Sequence, residues 1–245
     1  MSNEVNLTEE LQDALTKGDF KKLLEINSRE PVALIPELQA GCRESIGSFM
    51  MPGIYTKFLH VICTPPELNA MYNQQYKFRE KEAKEAYAAG NYDKYINMHE
   101  KPYRVEALFE VAGLMSGEAL YPLFEQTWSG VENIWQNKHD LEMMLRSKIS
   151  KAPEPLRFDK NVELDFDQNG EVEIYRGYCL DEGDARGFSY SANLGRARWF
   201  SQRLSKSPAV RVLRVKKEDI VFTTDRRNEA EVVTLKTLTE EIEHI

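Results

Sequence analysis

Ala152-Pro153-Glu154-Pro155 divides the sequence into two stretches with different periodicities. Two prolines one residue apart remove two backbone donors and bias the residues before them away from the helical region, so the stretch reads as an extended, helix-free linker. Before it, helix formers and helical spacing dominate; after it, apolar and polar residues alternate. A chain that changes period at one proline-marked point is confined to a layered α+β arrangement. The expected organisation is a helical N-terminal region, residues 1–152, followed by a small mixed or antiparallel β-sheet domain, residues 153–245.

In the first region Thr8-Glu9-Glu10-Leu11 has the form of a helix start, and Leu11, Leu15, Leu23, Leu24 and Ile26 supply helical faces broken at Gly18. Pro31 and Pro36 read as the end of that pair of helices, and a third helix is expected over Leu34 to Phe49. From Asn69 to Ala89 the charges recur at spacings of three and four, which pair across helical turns. Asp93 to His99, Arg104 to Met115 and Tyr121 to Ile149 continue in the same way. No strand-like alternation of any strength precedes residue 160, and no repeat of fixed period is present.

In the second region Asn161-Val-Glu-Leu-Asp-Phe-Asp alternates, and Asp167-Gln-Asn-Gly leads by a hairpin-type turn into Glu171-Val-Glu-Ile-Tyr. Val210 to Val215, Ile220 to Phe222 and Val232 to Leu235 read as further strands. Only Ala192 to Leu204 reads as a helix, with Leu194, Ala197, Phe200 and Leu204 on one face.

Charge and cysteine usage exclude several classes. The net charge of −8 argues against a protein held to nucleic acid by bulk electrostatics. Of the 32 basic and 40 acidic residues, 16 and 18 lie from Lys151 onward, so the second region is close to neutral and better suited to a phosphate-bearing ligand. Cys42, Cys63 and Cys179 are too few and too scattered for a disulfide framework or a metal knuckle. The four histidines lack ligand spacing as well, so no metal is expected. With no apolar signal core at the N-terminus and no run long enough to span a bilayer, a cytoplasmic protein without membrane attachment is the expectation.

Three short signals in the second region carry the chemistry. An alternating strand ends in Tyr175-Arg176-Gly177; Gly187-Phe188-Ser189-Tyr190-Ser191 feeds a helix containing Trp199-Phe200; and Asn228-Glu229-Ala230-Glu231-Val232-Val233 opens the last strand. Each has an ordinary reading on its own. A strand-end arginine is commonly solvated, paired serines commonly cap freed backbone amides, alternating glutamates commonly form the wet face of an edge strand, and Trp-Phe on a helix is commonly core.

Taken in order, the three resemble the Arg-Ser-Glu class of mono-ADP-ribosyltransferases, over about Glu171 to Val233. Val210 to Val215 followed by Lys217-Glu-Asp-Ile-Val is also similar to the segment before the glutamates in bacterial and phage members. The resemblance implies an ADP-ribosyltransferase-like catalytic domain that moves ADP-ribose from NAD, its co-substrate, to a macromolecule and releases nicotinamide. By the same resemblance Glu231 is the catalytic carboxylate that bonds the nicotinamide ribose, and Glu229 positions the acceptor. Arg176 binds the phosphate and ribose side of NAD, Gly177 lies against the carboxamide, and Ser189 orders the site with Ser191 as the second hydroxyl. Tyr190 and Phe200 complete the expected NAD-binding set, although Tyr190 either stacks on the nicotinamide or fills the core.

The residue types suit that chemistry independently of the resemblance. Breaking the bond between nicotinamide and ribose leaves an oxocarbenium-like sugar, which a carboxylate beside the ribose stabilises. A planar guanidinium suits bidentate phosphate contact. The acceptor stays open between a protein arginine, which a Glu-x-Glu loop suits, and a nucleic acid, whose phosphates could dock on Arg226-Arg227-Asn228. The resemblance implies an intracellular toxin or a phage-encoded host modifier, with an inhibitor or antitoxin protein as a second partner. The competing expectation is a non-catalytic helical interaction protein carrying a degenerate transferase-like β-domain, its partner held by aromatics such as Tyr72, Tyr76, Tyr87, Trp128 and Trp135.

Overall fold

The computed structural model describes residues 10, 13–14, 16–17, 19, 21–22, 25–26, 32–43, 53–62, 64–131, 135–182, 187–203, 206–236 and 243–244. Most of the expected N-terminal helix pair, including Leu11, Leu15, Leu23 and Leu24, lies outside the described residues. The architecture is mixed α+β, and the chain separates into two compact units, Met1–Ala107 and Leu108–Ile245.

In the first unit, helix α1 (Pro36–Ala40) precedes strands β1 (Cys42–Arg43), β2 (Gly53–Tyr55) and β3 (His60–Val61), which form a small antiparallel sheet in that order. Two expectations fail here. Pro36 opens a helix instead of ending one, because proline in the first turn lacks only a donor that has no partner there. Strands do precede residue 160, but at two or three residues each they are too short to display a period. The helix expected from Leu34 accordingly stops at Ala40.

Helices α2 (Asn69–Ala88) and α3 (Tyr92–Met98) follow closely where helical spacing places them. Asn91 starts α3 by accepting from the Lys94 amide. Phe58, Tyr76, Tyr95 and His99 form an aromatic cluster in this unit, joined by edge and tilted ring contacts at 4.8–5.7 Å. Helix α4 (Arg104–Ala112) carries the boundary between the units.

The second unit contains α5 (Gly117–Gly130), α6 (Lys138–Ser147), α7 (Glu154–Arg157) and a six-stranded sheet. Helix α7 corrects the expectation of a helix-free linker at Ala152 to Pro155. Pro153 serves as the N-cap and Pro155 falls within the first turn, positions that need no amide hydrogen, while Arg157 Nε donates to the Ala152 carbonyl at 2.8 Å.

The sheet strands are β4 (Glu171–Cys179), β5 (Ser189–Ser191), β6 (Pro208–Lys216), β7 (Ile220–Thr224), β8 (Glu231–Thr234) and β9 (Glu243–His244). They run in the order β7-β8-β5-β4-β6-β9, and every described pairing is antiparallel. Helix α8 (Leu194–Gln202) connects β5 to β6. The turn into β4 is built by Asp167, whose Oδ1 accepts the amides of Asn169 and Glu171, with Gly170 at φ +74°. Asn161 to Asp167 is not a strand. Its alternation survives as packing, since Val162, Leu164 and Phe166 lie against the sheet's core cluster of Val172, Ile174, Leu213 and Val232.

Alternation along the paired strands sorts their side chains onto two faces. Val172, Ile174, Leu213 and Val215 share one, which the chain from Phe158 to Phe166 covers. On the other, Phe222 meets Tyr121, Phe124 and Trp128 of α5 edge-on, at 5.3–6.2 Å. Spacings of three, four and seven put those three rings on one helical face, so α5 docks on the sheet through an aromatic stripe. Among the described residues no helix is long and apolar enough to cross a membrane.

Candidate active site

Sheet register brings the three separated signals together. Tyr175 pairs with Ser191, Ser191 with Glu231 and Glu231 with Thr224, one row across four strands. The adjoining row sets Ser189 against Val233 and Val233 against Phe222. Ser189 and Glu231 therefore stand diagonally on one face, the face that α5 covers.

Glu231 is the centre of the arrangement. Only 3% exposed, it accepts three side-chain hydrogen bonds: from Ser189 Oγ at 2.5 Å and Trp128 Nε1 at 2.9 Å on its Oε1, and from Arg227 Nη2 at 3.3 Å on its Oε2. A carboxylate removed from water needs such compensation. Arg176 joins through the backbone: its Nη1 donates to the Ser189 carbonyl at 2.7 Å. The Arg176 guanidinium lies so close to Gly187 that a Cβ there would fall 2.6 Å from Cζ, so a side chain at 187 would push the guanidinium aside.

Gly177, next along β4, is required by a helix. A Cβ on it would sit 2.0 Å from the Ala197 carbonyl oxygen and 2.6 Å from the Ser201 amide, so α8 lies directly on the strand backbone. Ser191 Oγ donates to the Glu229 carbonyl at 2.6 Å and accepts the Asn193 amide at 3.0 Å, which ties the glutamate loop to the start of α8. Of the two alternatives for Tyr190, the core one is observed. It is 2% exposed in the cluster with Val172 and Val232, on the face away from Ser189 and Glu231. Phe200 is half-buried on α8, its ring against that of the exposed Trp199 at 5.0 Å.

The loop between β7 and β8 is strained and braced. Asn228 and Ala230 have φ of 56° and 46°, a region costly for residues with a Cβ. Asp225 holds it, taking the Asn228 amide on its carbonyl at 2.8 Å and the Ala230 amide on Oδ1 at 2.9 Å. Through this turn Arg227 Nη2 reaches Glu229 Oε2 at 3.0 Å as well as Glu231. Burial pushes the Glu229 carboxyl above its usual range; Arg227 opposes that shift and the Glu231 charge adds to it.

Trp128 and Arg211 were not in the expected site. The spacing of Trp128 with Tyr121 and Phe124 reads as a core stripe, and nothing local reveals the polar use of its N–H. Arg211 does have a sequence signal: in Val210-Arg-Val-Leu-Arg-Val it shares the phase of Leu213 and Val215, which face the core. It is fully buried, stands directly opposite Arg176, and among the described residues its three guanidinium nitrogens have no hydrogen-bond partner. Compared with protein-family models, with curated proteins and with solved structures, the chain matches none.

Proposed function

We propose that the chain is a mono-ADP-ribosyltransferase that moves ADP-ribose from NAD to a macromolecular acceptor, its second unit being an ADP-ribosyltransferase-like catalytic domain. One observation carries the reading. The residues assigned by resemblance, Arg176, Ser189 and Glu231, are linked by consecutive hydrogen bonds although 13 and 42 residues separate the bonded pairs.

The arrangement suits the chemistry. Glu231 offers a fixed carboxylate to the positive charge that develops on the ribose as nicotinamide departs, and Ser189 and Trp128 hold its Oε1 so that little reorganisation accompanies the step. Its Oε2, held among the described residues by the more exposed Arg227, is the oxygen that turns toward the ribose once that arginine moves. Arg176 supplies a guanidinium for the phosphates. Glu229, whose proton affinity burial raises, takes a proton from the acceptor.

The test is release of nicotinamide from NAD by the full chain, alongside Glu231→Gln. The amide keeps the shape of the buried side chain, so the variant should fold and lose on the order of a hundredfold to a thousandfold in rate. Equal rates in both proteins would remove Glu231 from the reaction and with it this assignment.

A further inference from the structure

We propose that one face of α8, built from Arg196, Trp199 and Arg203, is a docking surface for single-stranded nucleic acid, which it lays beside the glutamate loop. Binding there is independent of the transferase reading above, which decides only whether the bound strand is the acceptor.

The chain carries a net charge of −8, yet every charged residue from Gly187 to Lys217 is a lysine or an arginine. A local basic surface of this kind escapes the argument from bulk charge. Most cations near the site are already committed. Arg214 pairs with Glu173 and Lys217 with Glu154, while Arg226 and Arg227 hold Glu125 and the two glutamates of the loop. Among the described residues Arg196, Arg198, Arg203 and Lys206 form no ion pair with a carboxylate.

Spacings of three and four put Arg196, Trp199 and Arg203 on one helical face, while Ala197 and Ser201 pack against the Gly177 backbone. Trp199 is 51% exposed; the Phe200 ring meets it edge-on at 5.0 Å, and the Arg203 guanidinium lies over it at 5.5 Å. A large ring kept half in water between cations is a platform on which an unpaired base stacks while the cations take its phosphates. Other anionic partners fit this face less well. A duplex keeps its base faces stacked inside, and a membrane surface asks for a stripe of apolar side chains where this face has one ring. An acidic protein surface matches the charge but offers no series of flat faces to the indole.

The face adjoins the site. Ser191 Oγ links the Glu229 carbonyl to the Asn193 amide at the start of α8. Burial raises the proton affinity of Glu229, and Arg227, Arg196 and Arg203 oppose that rise, so both arginines of the face act on the loop carboxylate.

The experiment titrates the full chain, without NAD, into a short fluorescein-labelled oligothymidylate and reads anisotropy at several salt concentrations. Binding should weaken as salt rises, and Arg196→Gln combined with Arg203→Gln should make the slope of log K against log salt shallower by about 1.4, the share of two phosphate contacts on a single strand. Trp199→Ala should weaken binding roughly fivefold to a hundredfold, with the melting temperature of the parent, and Trp199→Phe should recover most of the loss. The duplex with oligoadenylate should bind more weakly, and polyglutamate of equal charge should displace the label less effectively than unlabelled oligothymidylate. No binding at low salt, or a Trp199→Ala variant that binds like the parent, would overturn the proposal. Equal displacement by polyglutamate would overturn it too, in favour of an acidic protein partner. These readouts use no NAD, so their failure leaves the transferase reading standing, and absence of nicotinamide release leaves the binding standing.

Discussion

The indole Nε1–H of Trp128 donates to Glu231 Oε1 at 2.9 Å, joining α5 to β8 across 103 residues of sequence. The helix that supplies it precedes the Pro153-Glu154-Pro155 punctuation, so the carboxylate is shaped partly by a segment outside the three signals. Trp128→Phe keeps a ring against Phe124 and Phe222 but removes the donor. Loss of a hydrogen bond to a charged group, about 1.5–3 kcal/mol, should lower kcat for nicotinamide release roughly tenfold to hundredfold with little change in KM. A fall in melting temperature with kcat intact would make Trp128 a packing residue only.

The same bond predicts where the chain can be cut. A fragment beginning at Arg104 keeps α5, its Tyr121, Phe124 and Trp128 stripe and the sheet it covers. One beginning at Pro153 leaves Phe222 uncovered and Glu231 short of a donor. The longer fragment should give a cooperative thermal transition, and the shorter should aggregate or bind a hydrophobic dye. A soluble, cooperative Pro153 fragment would show α5 to be dispensable for the fold.

Arg211 offers a test of stability. A buried guanidinium with no hydrogen-bonding partner among the described residues, beside a second arginine, costs desolvation that a long apolar side chain would avoid. Arg211→Met should therefore raise the melting temperature, by an amount corresponding to roughly 1–4 kcal/mol. Calorimetry decides, and a fall would mean that the charge is compensated in the native protein.

Glu229 predicts a pH dependence. Its folded pKa lies above the ordinary carboxylate value, chiefly through burial, so ionising it opposes folding. The sign follows by linkage: its favourable contribution is fully present below the unfolded carboxylate pKa and is lost as pH rises through the raised folded value. Glu229→Gln should be more stable than the parent at neutral pH, and the difference should shrink on acidification through the carboxylate range. Parallel melting curves at all pH values would contradict the shift.

Sequence by itself determined what depends on neighbours along the chain. The helices from Asn69 to Ala88 and Tyr92 to Met98, the alternation of β4 and β6, and the Asp167 to Gly170 turn were all legible, because local spacing and turn chemistry set them. The order Arg176, Ser189, Glu231 was legible too, as residue types at strand edges. Tertiary structure alone decided what depends on register and on partners far away. Pairing Ser191 with Glu231 put Ser189 on the carboxylate's face and turned Tyr190 to the core, since one residue of register exchanges the faces. It turned Trp128 from a stripe residue into a donor and set Arg211 against Arg176. It also let Asn161 to Asp167 spend its alternation on packing without a ladder. Buried polar groups find partners by three-dimensional proximity, which no period in a sequence encodes.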